Sequence, residues 1–161
     1  MIVLTDELRT KLTKALIGAE GIRLDAYVDC CYKNWRECEC PREKRGALTI
    51  GIGRNLDAHG ISSPEALYLC GRDIERTIAE ANQFLPWIEA LDTPRRAALL
   101  EMVFNLGAGG VAKFEKMIAA LHAGDFAKAA VEALDSKWAR QVKAKRANRI
   151  ATQIASGSWI A

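Results

Sequence analysis

The chain has 161 residues and a net charge of +3, and half of its residues are hydrophobic while about a quarter are charged. This composition can form a real hydrophobic core and excludes a disordered protein, and no apolar run approaches the roughly 20 residues that cross a bilayer. Basic side chains outnumber acidic ones by eleven to five after residue 92, but they are not interleaved with the aromatic residues that stack on bases, so we expect no nucleic-acid binding.

The first predicted element is an amphipathic helix over residues 4–19, because its apolar residues recur at three- and four-residue intervals. Thr5 or Asp6 can cap its start. The helix carries acidic and basic residues throughout, so we expect neither a signal peptide nor a membrane anchor. Residues 24–28 and 47–52 are short segments rich in β-branched and aromatic residues, which predicts the strands of a small sheet.

After Gly60 the pattern is helical almost to the C-terminus. Ser63 followed by Pro64 is typical of a helix start and opens one long predicted helix. Prolines and glycines divide the remainder into short helices, which is typical of a packed helical lobe. The sequence thus predicts a mainly helical α+β protein with a ligand cleft between two lobes. Its single domain, 1–161, comprises the helix 4–19, a β-lobe about 21–60, a connecting helix about 64–84 and a helical lobe about 86–161.

Four of the five cysteines lie between the two predicted strands, and Cys70 stands alone. The four are Cys30, Cys31, Cys38 and Cys40. The odd total argues against a closed disulfide framework, and the spacing C-C-x6-C-x-C differs from the paired C-x2-C pattern of a zinc ribbon. The pattern favours one or two disulfides after export, with a structural metal as the alternative. In a reducing cytosol the same residues would be free thiols.

Two carboxylates occupy positions that suit acid–base chemistry. Glu20 lies where the first predicted helix gives way to a glycine, and Asp29 ends the first predicted strand. Two carboxyl groups at the mouth of one lobe can act as acid and base if their surroundings separate their pKa values. On position alone, both are more simply surface carboxylates.

A specific motif surrounds these two carboxylates. It consists of E-G-I-R-L-D-A-Y-V-D at 20–29, followed by T-I-G-I-G at 49–53. Farther on come D-T-P-R-R-A-A-L-L-E-M-V-F-N-L-G at 92–107, G-V-A-K-F at 110–114, and the later S-K-W, R-A-N-R-I and S-G-S-W. Together these segments resemble the phage lysozymes, glycoside hydrolase family 24, over nearly the whole chain. The resemblance implies a lysozyme-like fold.

The resemblance also implies a reaction: hydrolysis of the β-1,4 bond between N-acetylmuramic acid and N-acetylglucosamine in peptidoglycan, with no metal or organic cofactor. It assigns Glu20 as the general acid and Asp29 as the group that assists the attacking water or stabilises the oxocarbenium ion. Thr49 would hold that water. The family inverts the anomeric carbon, which requires carboxyl groups roughly 6.5 to 9.5 Å apart.

Three further residues match family positions near the saccharide. Phe104 and Asn105 match positions that line the cleft, and Arg146 matches an arginine that pairs with the catalytic glutamate. From the residues alone, Phe104 is as readily a core side chain and Arg146 a helix-surface one. The family pattern G-x-G-H is broken here by Arg54, so the ion pair that this histidine commonly forms must be remade or lost.

The cellular role implied by the resemblance is that of an endolysin. Such a monomer is made in the host bacterial cytoplasm and reaches the periplasm and cell wall at lysis, when a separate holin opens the membrane. A wall-binding or toxin-like protein without turnover is the second interpretation, against which the intact Glu20, Asp29 and Thr49 argue. The insert at 30–48 is either a plain surface loop or an extension of the cleft wall.

Overall fold

The structure, a computed structural model, describes residues 4–31, 33–41 and 44–160. The chain divides into two compact units, residues 1–66 and 67–161. The elements of the first unit are α1 (Asp6–Glu20), β1 (Arg23–Val28), β2 (Leu48–Gly51), β3 (Arg54–Asn55) and α2 (Leu56–His59), with a 3-10 turn at Trp35–Glu37. The predicted α+β, mainly helical fold class is confirmed.

The long helix α3 (Ser63–Phe84) begins in the first unit and continues into the second. The second unit then contains a 3-10 turn at Pro86–Ala90, followed by α4 (Thr93–Leu106), α5 (Ala108–Val111), α6 (Glu115–His122), α7 (Phe126–Leu134), α8 (Lys137–Gln141) and α9 (Ala144–Ser156). Within the described ranges, every helix is too short or too polar to form a membrane span.

Helix α1 is closed at both ends by local hydrogen bonds. Of its two candidate caps, Thr5 serves, since its hydroxyl accepts the backbone N–H of Leu8 at 3.2 Å. The helix ends at Glu20 because Gly21 adopts a φ of +72°, a conformation that favours glycine. The backbone N–H of Gly21 donates a hydrogen bond to the carbonyl of Ile17. The last side chain of the helix is therefore a carboxylate.

The sheet is antiparallel, in the order β1-β2-β3. Tyr27 pairs with Thr49 and Val28 with Leu48, while an irregularity lies between Arg23 and Tyr27 in β1. The two predicted strands thus pair with each other, and the short β3 adds a third that the sequence did not indicate. Gly53, at φ +71°, supplies the left-handed residue of the turn between β2 and β3.

The start of α3 differs from the prediction, since Ser62 rather than Ser63 is its cap. The backbone N–H and the hydroxyl of Ser62 both donate to Glu65 Oε2 at 2.7 Å. A serine and a glutamate three residues apart form a capping box. The cap is therefore Ser62, and the helix begins at Ser63. Arg54 Nη2 donates to the same carboxylate at 3.0 Å, so the residue that breaks the family pattern makes its own ion pair.

The hydrophobic core of the second unit is built from α4, α5, α6, α7 and α9. Its largest fully buried side chains are Leu99, Met102, Val103, Val111, Met117, Ile150 and Ile154. Arg95 also ties α4 to the end of α9, because its guanidinium donates to the carbonyls of Ile154 and Ala155 at 2.8 and 3.0 Å. Backbone carbonyls at a helix C-terminus lack intrahelical partners, so this arginine satisfies two of them.

Candidate active site

The Glu20 carboxylate lies beside the turn between β2 and β3. A Cβ built on Gly53 would stand 3.6 Å from Glu20 Oε2, so the absence of a side chain at Gly53 leaves space around the acid. Glu20 itself is exposed. The glutamate that the sequence indicated therefore projects from a helix end towards a glycine turn, where solvent or a ligand can reach it.

Asp29 follows the last residue of β1 and faces the beginning of β2. Its backbone N–H donates to the carbonyl of Ala47 at 3.2 Å, and its side chain is exposed. Gly46 packs directly against it, since a Cβ on that glycine would lie 3.0 Å from Asp29 Cβ. The strand pairing and this glycine fix the backbone that carries the second carboxylate.

Thr49 lies in β2 and is 3% exposed. Its hydroxyl donates to the carbonyl of Ala47 at 3.3 Å, which is the carbonyl that also accepts the N–H of Asp29. Because its single proton is used in this way, the remaining lone pairs of the hydroxyl can only accept. The structure therefore places Asp29 and Thr49 around one carbonyl, and Glu20 beside the turn that follows the same strand.

The other three predicted site residues lie in the second unit, on α4 and α9. Phe104 is 46% exposed, so it is not the core side chain that its helix face allowed. The side-chain oxygen of Asn105 accepts the indole N–H of Trp138 at 3.0 Å. Trp138 is buried. The contacts of Phe104 and Asn105 with a sugar stay predictions.

Arg146 finds its partner within the second unit. Its Nε donates to Glu101 Oε1 at 2.9 Å, and Arg149 pairs with the other oxygen of the same carboxylate. The glutamate thereby links α4 to α9. The pairing of Arg146 with Glu20 stays a prediction, and the pair with Glu101 is a contact that sequence reasoning missed.

A second group of reactive side chains lies next to Asp29, and we call it the thiol cluster: Cys30, Cys31, Cys38 and Cys40. All four are free thiols, and their sulfur atoms lie within 4.8 Å of one another. The hydrogen bond with Cys40 lowers the pKa of Cys30 to about 7, and the same contact raises the pKa of Cys40 to about 12. Sequence reasoning noted the crowding of these residues but not their convergence on one point.

Two glycines that shape this region also escaped the sequence reasoning. Gly46 has no room for a side chain, because a Cβ would lie 2.6 Å from the backbone nitrogen of Cys30. Gly53 belongs to the G-x-G pattern, which was recognised as part of a motif and not as the neighbour of Glu20. The sequence feature that could have indicated both is a glycine directly before and directly after the predicted strand 47–52, since such glycines often mark a close approach of the backbone.

Comparison with known proteins gives a consistent result. The family described as Phage lysozyme matches residues 18–152. The chain is 37% identical over 116 residues to the pre-baseplate central spike protein Gp5 of Enterobacteria phage T4, covering 69% of this chain and 20% of that protein. It is 38% identical over 156 residues to the probable T4-type lysozyme 2 of Dictyostelium discoideum, covering 79% of this chain and 91% of that protein. The chain thus spans about a fifth of one relative and nine tenths of the other.

Proposed function

Because the chain belongs to the phage lysozyme family, whose enzymes are peptidoglycan-hydrolysing glycosidases, we propose that it cleaves the β-1,4 bond between N-acetylmuramic acid and N-acetylglucosamine. The observation that carries the proposal is the arrangement of Glu20, Asp29 and Thr49 around one strand of the first unit. The matched family segment, residues 18–152, includes all three.

Glu20 is the proposed general acid. A protonated carboxyl group donates its proton to the glycosidic oxygen, so that the N-acetylglucosamine side leaves as a neutral alcohol. Gly53 has no side chain to occupy the position 3.6 Å from Glu20 Oε2 where a Cβ would stand, which leaves that side of the acid to the glycosidic oxygen.

Asp29 and Thr49 are the proposed partners of the attacking water. The hydroxyl of Thr49 donates its hydrogen bond to the carbonyl of Ala47, so it accepts one hydrogen of the water while the Asp29 carboxylate accepts the other. The water oxygen then attacks the anomeric carbon of the muramic acid from the face opposite the leaving oxygen, which inverts that carbon. Glu20 ends as the carboxylate and Asp29 as the acid, and exchange with solvent restores both.

The cellular role we propose is host-cell lysis. The chain would act as a monomeric endolysin on peptidoglycan, made in the host cytoplasm and admitted to the wall by a separate holin. The family match and the likeness to lysozymes support this role.

The test is the clearing of permeabilised Gram-negative cells, with identification of the new reducing ends. We expect wild type to release muramic acid ends, first as the inverted α-anomer. Glu20→Gln and Asp29→Asn should each lower the rate at least about 100-fold, because general acid–base groups contribute factors of that size or more.

Matched controls separate chemistry from charge. Glu7→Gln removes an exposed glutamate from the same helix as Glu20, and Asp25→Asn removes an exposed aspartate from β1, the strand that Asp29 follows. Both controls should retain the wild-type rate. If wild type binds walls without releasing ends, the protein is a wall-binding member of the family and the proposed reaction is wrong.

A further inference from the structure

The thiol cluster is the strongest unassigned feature of the molecule, since the proposed reaction uses none of its four side chains. It lies in the first unit, directly after Asp29, and three of its members are partly shielded from solvent while Cys30 is exposed. The fifth cysteine, Cys70, is an exposed residue of α3 outside the cluster. We infer that the thiol cluster binds one zinc ion as a structural site.

The spacing of the sulfur atoms suits a metal better than pairwise bonding. Zinc–thiolate bonds of about 2.3 Å place neighbouring sulfurs of a regular tetrahedron about 3.8 Å apart. The Cys30 and Cys38 sulfurs are 3.7 Å apart, and all four lie within 4.8 Å of one another. Two disulfides require only that the sulfur atoms be close in two separate pairs. They do not require all four sulfur atoms to lie close together, as they do here. A tetrahedral set of four thiolates is a site for zinc or iron.

The backbone around the cluster supports bound thiolates. The N–H of Gly46 donates to the Cys30 sulfur, and the N–H of Lys33 donates to the Cys31 sulfur. Such hydrogen bonds from outside the ligand set orient ligands and stabilise their charge. They also link two separate parts of the insert to the first ligand pair.

Two short turns present the four ligands. Cys30 and Cys31 follow β1 in a turn closed by the N–H of Cys31 on the carbonyl of Val28 at 3.3 Å. The second pair follows the 3-10 turn at Trp35–Glu37, whose cap Asn34 pairs with Tyr27 of β1. The insert is therefore folded back onto β1, which brings the later pair to the earlier one.

The charge of the insert also suits this site. Zinc with four thiolates carries a net charge of about −2. The segment 32–46 contains five basic and three acidic residues. Its excess positive charge therefore offsets the negative charge of the zinc-bound site. The consequence is structural: a filled site holds the insert against the end of β1, where Asp29 begins.

The first experiment measures metal in the wild-type chain. The protein is purified under reducing conditions without chelators, and its zinc content is determined by mass spectrometry of the elements. We expect one zinc per chain. Removal of the zinc and addition of Co²⁺ should produce thiolate-to-cobalt charge-transfer bands and the ligand-field bands of a tetrahedral ion. A zinc chelator should lower the melting temperature of the wild type, since metal binding is coupled to folding.

The second experiment assigns the ligands. Replacing one pair of ligands, Cys38→Ser with Cys40→Ser, should abolish zinc binding and the cobalt bands, whereas Cys70→Ser should leave both unchanged. Circular dichroism of each variant shows whether it folds. If the double variant does not fold, the removal and return of the metal in the wild type remains decisive.

Three results would overturn the inference. The first is a wild-type chain that contains no zinc and gives no cobalt bands. The second is a mass lower by four hydrogens in protein purified without a reductant, which would establish two disulfides instead. The third is zinc that persists in the folded double variant, or iron in place of zinc. Because each readout is independent of turnover, failure of the zinc site would leave the proposed hydrolase reaction untouched.

Discussion

At the scale of single residues, glycines decide how close the backbone comes to the two proposed catalytic carboxylates. Gly53 leaves the space beside Glu20 Oε2, and Gly46 lets the loop approach both Asp29 and Cys30. At Gly46 the nearest obstacle is backbone, which cannot move aside as the end of a flexible side chain can. A single methyl group at this position therefore forces the strand end and the loop apart.

We predict that Gly46→Ala destabilises the protein by about 1 to 3 kcal/mol, the usual range for an inserted methyl group that must displace its surroundings. It should also lower wall-clearing activity, because Asp29 shifts with its backbone. The matched control is Gly18→Ala in α1, where a Cβ meets nothing within 4 Å and helix propensity favours alanine. Urea unfolding of both variants measures the effect, and equal stability of the two would contradict it.

At the scale of elements, the start of α3 is stabilised by a network around one carboxylate. Glu65 accepts from the backbone and hydroxyl of Ser62 and from Arg54. The hydroxyl of Ser62 is the main cause of the lowered pKa of Glu65, with its backbone N–H and the charge of Arg54 adding to it. The capping box and the ion pair thus depend on the ionised form of Glu65.

We predict that Glu65→Gln lowers the melting temperature at neutral pH and that its difference from wild type shrinks in acid. A carboxyl group whose pKa is lowered by folding stabilises the protein above its unfolded pKa, and this stabilisation is lost as the pH falls through the folded pKa. Thermal unfolding of both proteins from neutral pH down through the range below pH 4.5, the ordinary value for glutamate, measures the difference.

Glu75→Gln is the control for this prediction, since Glu75 forms an exposed pair with Arg72 on the same helix. Exposed pairs of this kind contribute little, so this variant should show a small difference at every pH. A Glu65→Gln difference that stays constant with pH would show that the ionised carboxylate does not stabilise the start of α3.

At the scale of the whole molecule, buried side chains are distributed unevenly between the two units. Among the described residues, the first unit buries Tyr27, Val28 and Thr49, and the other buried side chains belong to the second unit. Apolar burial is the dominant favourable contribution to folding. We therefore expect the free energy of unfolding to depend mainly on the packing of α4, α6, α7 and α9.

We predict that Ile150→Ala, a fully buried position on α9, lowers the free energy of unfolding by about 2 to 5 kcal/mol, through lost transfer energy and the cavity left behind. The matched control is Val131→Ala on α7, where the side chain is 63% exposed and the change should stay within about 0.5 kcal/mol. Denaturant unfolding compares the two. Similar losses in both would show that the core of the second unit does not control stability.

Local rules account for much of what could be predicted from the sequence. The helical periodicity of α1 and α3 and the two strands that pair follow from spacing and residue type, because these depend on neighbours within a few residues. Glu20, Asp29 and Thr49 were singled out by two short motifs of the phage lysozyme family. Their places on a helix end and on paired strands agree with the predicted elements.

Only the tertiary structure decided which distant groups meet. The convergence of four thiols, the Arg54–Glu65 pair and the Glu101 link from α4 to α9 join residues that are up to 48 positions apart. Neither sequence periodicity nor residue propensity predicts such contacts. Each contact depends on how turns and helices pack in space and on the free energy of the folded chain as a whole. The sequence by itself determined the family, the main elements and the chemistry on offer, while packing decided which side chains share a site.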